Sequence, residues 1–224
     1  MIAAVFPWLS WQGFAEDMGR YLFATKAGLL TSVEGRPTLS RIGRIDKSKR
    51  MLESGTCLKT GHGDKAEVSL GPGNYLRVGE NTRVEIVETA FDRMHLAISQ
   101  GVVILQTPRL KKNFLSLKVS TPGGDLIPVK GAKWRLEVTP DGTVEIFLYR
   151  GMLEWFRNPE RMATLNHGNH YSLRAPAVPE FQQVKLEHRH KDDLDRWSDH
   201  RAEILLRQQG WGGVYSQGNS IPRH

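Results

Sequence analysis

The sequence predicts an all-β fold: a turn-rich, mostly antiparallel sandwich, roll or solenoid-like β domain with one C-terminal amphipathic helix. Three observations carry that expectation. Apolar and polar residues alternate with period two through most of the span from 26 to 175, the pattern of sheet faces buried on one side. Strong turn signals separate these runs at intervals of about 8–12 residues, as in sandwiches and barrels. A 3.6-residue apolar stripe is seen only after Pro179, where it marks a helix face.

The strands follow in order. Ala66, Val68 and Leu70 alternate with Glu67 and Ser69, and Val84 and Ile86 with Arg83 and Glu85. Met94, Leu96 and Ile98 alternate with His95 and Ala97, and Leu115, Leu117 and Val119 with Ser116 and Lys118. Trp134, Leu136 and Val138 alternate with Arg135 and Glu137, and Val144, Ile146 and Leu148 with Glu145, Phe147 and Tyr149. Between them lie Gly61-His62-Gly63-Asp64, Gly71-Pro72-Gly73-Asn74, Gly79-Glu80-Asn81, Pro122-Gly123-Gly124-Asp125 and Pro140-Asp141-Gly142, all rich in residues that reverse the chain. The inward set is expected to be Val68, Leu70, Leu76, Val78, Leu96, Ile98, Leu136, Val138 and Ile146. Regular βαβ alternation is absent, which argues against a doubly wound fold.

The chain divides into an apolar N-terminal segment (1–25), a β domain (26–175), a connector (176–190) opening on Pro176 and Pro179, a helix (191–208) and a Gly-rich tail (209–224). In the helix, Asp192, Asp193 and Asp195 occupy the first turn, where the dipole favours negative charge. Leu194, Trp197, Ile204 and Leu205 share one stripe, with the stem of Arg201 between them. The stripe is expected to dock on the β domain, with Trp197 supplying much of the buried area.

Composition excludes several functional classes. Hydrophobic residues are 39% and charged residues 25% of 224, the balance of a globular chain of one or two domains. No run reaches the roughly 18 consecutive apolar residues of a spanning helix, so no transmembrane span is expected. Cys57 is the single cysteine, which excludes an intramolecular disulfide and a cysteine zinc site; it reads as a small core residue. The net charge is +7. Its basic residues are spread along the chain, and the denser runs, Arg41 to Arg50 and Lys185 to Arg201, read as solvated faces. A nucleic-acid partner is therefore not expected.

The first fifteen residues, apolar and ending in small Gly13 and Ala15 before Glu16 and Asp17, resemble the end of a secretory signal without its basic start. They predict a periplasmic or secreted protein with a signal sequence truncated at its start; the alternative is a cytoplasmic chain.

Signals of chemistry are sparse. Gly61-His62-Gly63-Asp64-Lys65-Ala66 fits a loose dinucleotide pattern, but a strand follows it where a helix is required. His167 and His170 lie three apart, and His188 and His190 two apart, with no third ligand at diagnostic spacing. No nucleophile elbow, P-loop or paired-carboxylate motif occurs. No catalytic residue, metal ligand or cofactor is expected.

The order of turns and strands carries a family resemblance. Gly55-Thr56-Cys57-Leu58-Lys59-Thr60-Gly61, then Ala66 to Leu70, then Leu76-Arg77-Val78-Gly79-Glu80-Asn81-Thr82 resemble the FecR domain. Leu96 to Val103 around Gly101, Val119-Ser120-Thr121-Pro122-Gly123-Gly124, Val129 to Leu136 with Gly131 and Trp134, and Thr143 to Leu153 with Gly151 continue the pattern. Asp192 to Trp197, with Leu194 and Arg201, is similar to a segment that follows the domain in stand-alone secreted members. The resemblance implies an all-β extracytoplasmic domain. In the best-known members it senses an outer-membrane receptor and controls a sigma factor across the inner membrane. Those regulators carry an anti-sigma region and a membrane helix ahead of the domain, and neither is recognisable here, so the resemblance carries over the domain and not the regulatory role. It marks Gly61, Gly79, Asn81, Gly101, Thr121, Pro122, Gly131, Trp134, Gly151, Leu194 and Trp197 as structural positions. Where family and composition meet, two functions are expected as alternatives. One is a non-enzymatic domain that binds another envelope protein or an envelope polymer, with a link to signalling. The other is an envelope-polymer hydrolase whose carboxylates are assembled by the fold.

Overall fold

The computed structural model describes residues 28–40, 43–44, 51–90, 92–108, 116–174, 180–186 and 190–208. The N-terminal segment 1–25, most of the basic run 41–50, much of the connector including His188, and the tail 209–224 lie outside the described residues.

Three long strands organise the molecule: β8 (Arg93–Gln106), β10 (Gly124–Val138) and β11 (Val144–Arg157). Each is too long for one flat sheet, and each changes partners part of the way along. The first half of β8 pairs β7 (Arg83–Thr89) and runs parallel to β9 (Ser116–Thr121), while its second half pairs β6 (Asn74–Val78) and β10. The far end of β10 meets β9, and the two ends of β11 take β13 (Asn169–Arg174) and β12 (Glu160–Asn166). Shorter strands complete the edges: β1 (Leu29–Glu34) on β5 (Lys65–Gly71), which pairs β6; β2 (Thr38–Leu39) between β3 (Gly43–Arg44) and β4 (Thr56–Lys59); and β14 (Glu180–Lys185) on β13. Only β8–β9 is parallel among these pairings, as the mostly antiparallel expectation requires.

The changes of partner coincide with glycines. Gly101 (φ +95°) places a would-be Cβ 2.4 Å from the Thr82 backbone, and Gly151 (φ +85°) places one 2.6 Å from the Gly131 carbonyl. Only a residue without Cβ allows that backbone and that contact. The β10–β11 register shifts between Lys130 and Lys133, opposite Gly151, so the two strands bend together at Gly131 and Gly151.

The bending wraps one apolar face around a single core. All nine residues expected to point inward are at most 2% exposed. Trp134, Leu153, Leu165, Tyr171 and Leu173 lie in the same cluster. Ile146 is fully buried at 0%, and Ile146→Ala is expected to destabilise the fold by about 2–5 kcal/mol in a denaturant titration; a loss under about 0.5 kcal/mol would place this side chain outside the core.

The helix α1 (Asp193–Gln208) lies on the outer face of the sheet, and it is the one helix among the described residues. It starts two residues later than the periodicity predicts, because Asp192 serves as its cap. Asp192 Oδ1 accepts from the Asp195 N–H at 2.9 Å, and Asp195 Oδ2 accepts from the Asp192 N–H at 3.2 Å, a reciprocal capping box. No helix among the described residues is long and apolar enough to cross a membrane.

Candidate functional site

Alternation puts a second set of side chains on the outer face, and on β1, β5, β6 and β10 that face carries the charged residues Glu34, Lys65, Glu67, Arg77, Lys133 and Arg135. Glu67 and Arg77 are register partners across β5 and β6. Both side chains are 0% exposed, and Arg77 Nε donates to Glu67 Oε2 at 2.9 Å. The same carboxylate accepts from Thr31 Oγ1 at 2.9 Å and from Arg201 Nη2 of α1 at 2.8 Å. Arg77 reaches α1 directly, donating to Ser198 Oγ at 3.3 Å, and its guanidinium lies 5.5 Å from the Tyr75 ring centre. Burial pulls the Arg77 guanidinium below its ordinary value, although Glu67 opposes that shift.

A second anchor lies on β10. Arg135, buried at 4% exposure, donates to Glu137 on its own strand at 2.5 Å, to Asp192 at 2.6 Å and to Asp195 at 3.3 Å. Tyr149 donates to Asp195 at 3.2 Å, and Lys133 pairs with Asp199 at 2.7 Å. At the other edge Lys65 pairs with Asp193 at 2.5 Å, and Trp197 Nε1 donates to Glu34 at 2.6 Å. The helix is thus clamped along its first three turns by groups from five strands, β1, β5, β6, β10 and β11.

The apolar part of the contact is small. Leu194 and Trp197 meet Ile104 and Val102 in a cluster separate from the main core. Gly79 makes room for it: a Cβ there would lie 2.8 Å from Leu194 Cδ2. Ile204 and Leu205, which share the sequence stripe with Leu194 and Trp197, are only partly buried. Between them and Trp197 it is the Arg201 guanidinium, rather than its stem, that holds the helix.

Acid should release this clamp. Burial pushes the Asp192 carboxyl up, but the Arg135 guanidinium and the Asp195 N–H outweigh it and hold the group at about 2, below its ordinary 3.8. Asp199 is likewise lowered against its burial, by Lys133 and Lys191. A carboxyl depressed in the folded state stabilises fully above its unfolded value and loses that contribution as pH falls towards its folded value. Docking is therefore expected to hold above pH 3.8 and to fail as pH approaches about 2, read from the NMR signals of α1. Loss of those signals already between about pH 6 and 7, where histidines titrate, would assign the clamp to another group.

The remaining positions marked in the sequence are turns and bends. Thr60 Oγ1 donates to the Gly79 carbonyl at 2.6 Å, Asn81 holds a left-handed φ of 51°, and Gly61 N–H donates to Asp64 at 2.8 Å. Thr121 Oγ1 donates to the Gly124 carbonyl at 2.8 Å beside exposed Pro122. Trp134 is buried on β10 at 0% exposure. The structure brings Gly79, Leu194 and Trp197 to the clamped face, and leaves Gly61, Asn81, Thr121 and Pro122 in the turns. His167 is exposed; His170 lies 2.6 Å from Glu145 and stacks on Phe147 with ring centres 4.3 Å apart. Cys57 is buried, and its N–H donates to Ser40 Oγ at 2.8 Å. Among the described residues no group of three or more His, Cys, Asp or Glu could hold a metal ion.

A bent β module with an ion-paired helix on its outer face is the class of protein that this geometry defines. Residues 56–154 match the model of the family described as FecR protein, so the resemblance read from the sequence holds from β4 to the second half of β11. Two crystal structures of one protein from Parabacteroides distasonis, titled "putative anti-sigma factor", are similar to the chain at 17% identity with a TM-score of 0.48; the match covers 58% of this chain and 59% of theirs. The chain therefore spans about three fifths of the length of those structures. No curated protein matches the chain.

Proposed function

We propose that this chain is a non-enzymatic, extracytoplasmic β module that binds another envelope protein in a signalling-related role. The observation that carries the proposal is the clamped face. A sheet surface that buries Glu67, Arg77 and Arg135 and matches them to side chains of an α-helix has the chemistry of protein recognition. The FecR match over residues 56–154 supports the same reading. The functional unit is the β domain (26–175) with the helix (191–208), joined by the connector (176–190), and its place is the periplasm or the exterior. The carboxylates that the fold brings together on this face, Asp192 and Asp195, both face Arg135, which favours a binding role for them over acid–base work.

The test is photocrosslinking in the native host, with the reactive amino acid at half-buried Phe147, the register partner of Arg135 on the same face. The expected result is a discrete protein adduct in the envelope fraction. Adducts confined to polysaccharide, or recovery of the chain from the cytosol alone, would overturn the reading.

A further inference from the structure

On the basis of that reading, we propose that α1 is a releasable latch. The sheet face beneath it is then the docking site for a partner's amphipathic helix, one that opens on an Asp-x-x-Asp cap and carries an aromatic residue two positions after the second aspartate.

The seat is built by the sheet and not by the helix. Glu67 and Arg77 pair with each other across β5 and β6, and Arg135 pairs with Glu137 along its own strand. With α1 lifted, these groups keep partners and gain water. The apolar contact of Leu194 and Trp197 is a cluster apart from the main core, so release opens a charged face and leaves the core closed. Ion pairs taken out of water contribute little net energy against their desolvation. A helix held chiefly by such pairs is therefore held specifically but not tightly. Its last turns, with Ile204, Leu205 and Leu206 partly exposed, are the natural place for opening to start.

The occupant is defined by what the seat already accepts. Arg135 takes the two carboxylates of an Asp-x-x-Asp cap, Glu34 takes an indole N–H, and Gly79 leaves the notch for an aliphatic side chain between them. Lys65 and Lys133 flank this end and add positive charge against an acidic first turn. The tethered helix competes at an effective concentration of about millimolar. Once released, however, a 16-residue segment is a marginal helix in water. A partner that presents a preformed helix avoids that ordering penalty, and this is the advantage by which it displaces the latch.

Two measurements on the full chain test the proposal. In hydrogen exchange, the α1 amides are expected to exchange at least about tenfold faster than the central amides of β10 and β11, because the latch opens without the sheet. Equal protection would mean that helix and sheet open together and would overturn the latch. In the second measurement the probe is a fluorescent stapled-helix peptide carrying residues 190–208. Full-length Asp192→Asn/Trp197→Ala, with its seat intact, should bind the peptide about tenfold or more tightly than the unaltered chain does, since the tethered competitor is weakened. Adding Arg135→Glu should abolish that binding. No gain in the latch variant, binding that ignores Arg135→Glu, or a latch variant that no longer melts cooperatively would each overturn the proposal. A protein adduct at Phe147 combined with a failure here removes the latch and leaves protein binding in place; the reverse pattern removes the envelope-protein role and leaves the latch.

Discussion

Glu67→Ala is expected to destabilise the folded chain by about 3–5 kcal/mol, the loss typical of removing one partner from a buried ion pair. The size follows from what stays behind. Arg77 is 0% exposed and has Glu67 as its one carboxylate partner among the described residues. Burial already pulls its guanidinium below the ordinary value with Glu67 present. Without Glu67 the Arg77 charge is left buried and uncompensated, Arg201 loses its carboxylate, and the Thr31 hydroxyl loses an acceptor. Glu67→Gln keeps the shape and one acceptor oxygen, so it should fall between the wild type and alanine. Urea titration of the three proteins checks the order. A Glu67→Ala loss below about 1 kcal/mol would mean that water reaches Arg77 and that the pair is not sealed by α1.

Trp134→Ala should do comparable damage, about 3–5 kcal/mol, through a cavity in the centre of the core. Trp134 is fully buried on β10, where the strand pairs both β8 and β11, opposite Leu105 and Leu148. Neighbouring strands fixed on both sides can relax little into the space. Trp134→Phe is the informative comparison. The indole Nε1 of Trp134 has no hydrogen-bond partner among the described residues, so phenylalanine removes volume but also removes an unpaired buried donor. It should therefore recover much of the alanine loss and cost below about 1.5 kcal/mol. Equal losses for the two variants would mean that the indole N–H is satisfied after all. Both predictions concern positions near the clamped face, yet they act on different parts of it. Trp134 points into the main core, while its neighbour Arg135 points out to α1.

The strands themselves were legible because alternation is a local property. Val144, Ile146 and Leu148 turn inward and Glu145, Phe147 and Tyr149 outward for the same reason at every step, the two-residue repeat of a strand. Turns were legible through glycine and asparagine, whose backbone freedom is also local. The position of Leu194 and Trp197 on the docking side of the helix followed from helical spacing alone. In contrast, the sequence assigned Asp192 and Asp195 to the helix dipole and the stem of Arg201 to apolar packing. Neither reading was wrong about the helix, but each missed the partner across space. Asp192 and Arg135 are 57 residues apart, and Glu67 and Arg201 are 134 apart; no spacing rule reaches that far. The one available signal was a pair of adjacent strands whose outward residues, Lys65 and Glu67 on β5 and Arg77 on β6, are charged, together with an equally charged helix.

The sequence by itself determined which residues face the core, where the chain turns, that one helix follows the β domain, and that the motifs from Gly55 to Leu153 resemble the FecR domain, which the family match over residues 56–154 bears out. Side-chain periodicity and turn chemistry depend on neighbours in the chain, so they can be read from it. Only the tertiary structure decided that the long strands bend at Gly101, Gly131 and Gly151 to wrap a single core. It alone decided that the outer face carries buried charge, and that the helix is held there by Glu67 and Arg135 more than by its apolar stripe. Those outcomes depend on which strands lie side by side and on which charges lose their water together, and desolvation is a property of the folded surroundings, not of the order of residues.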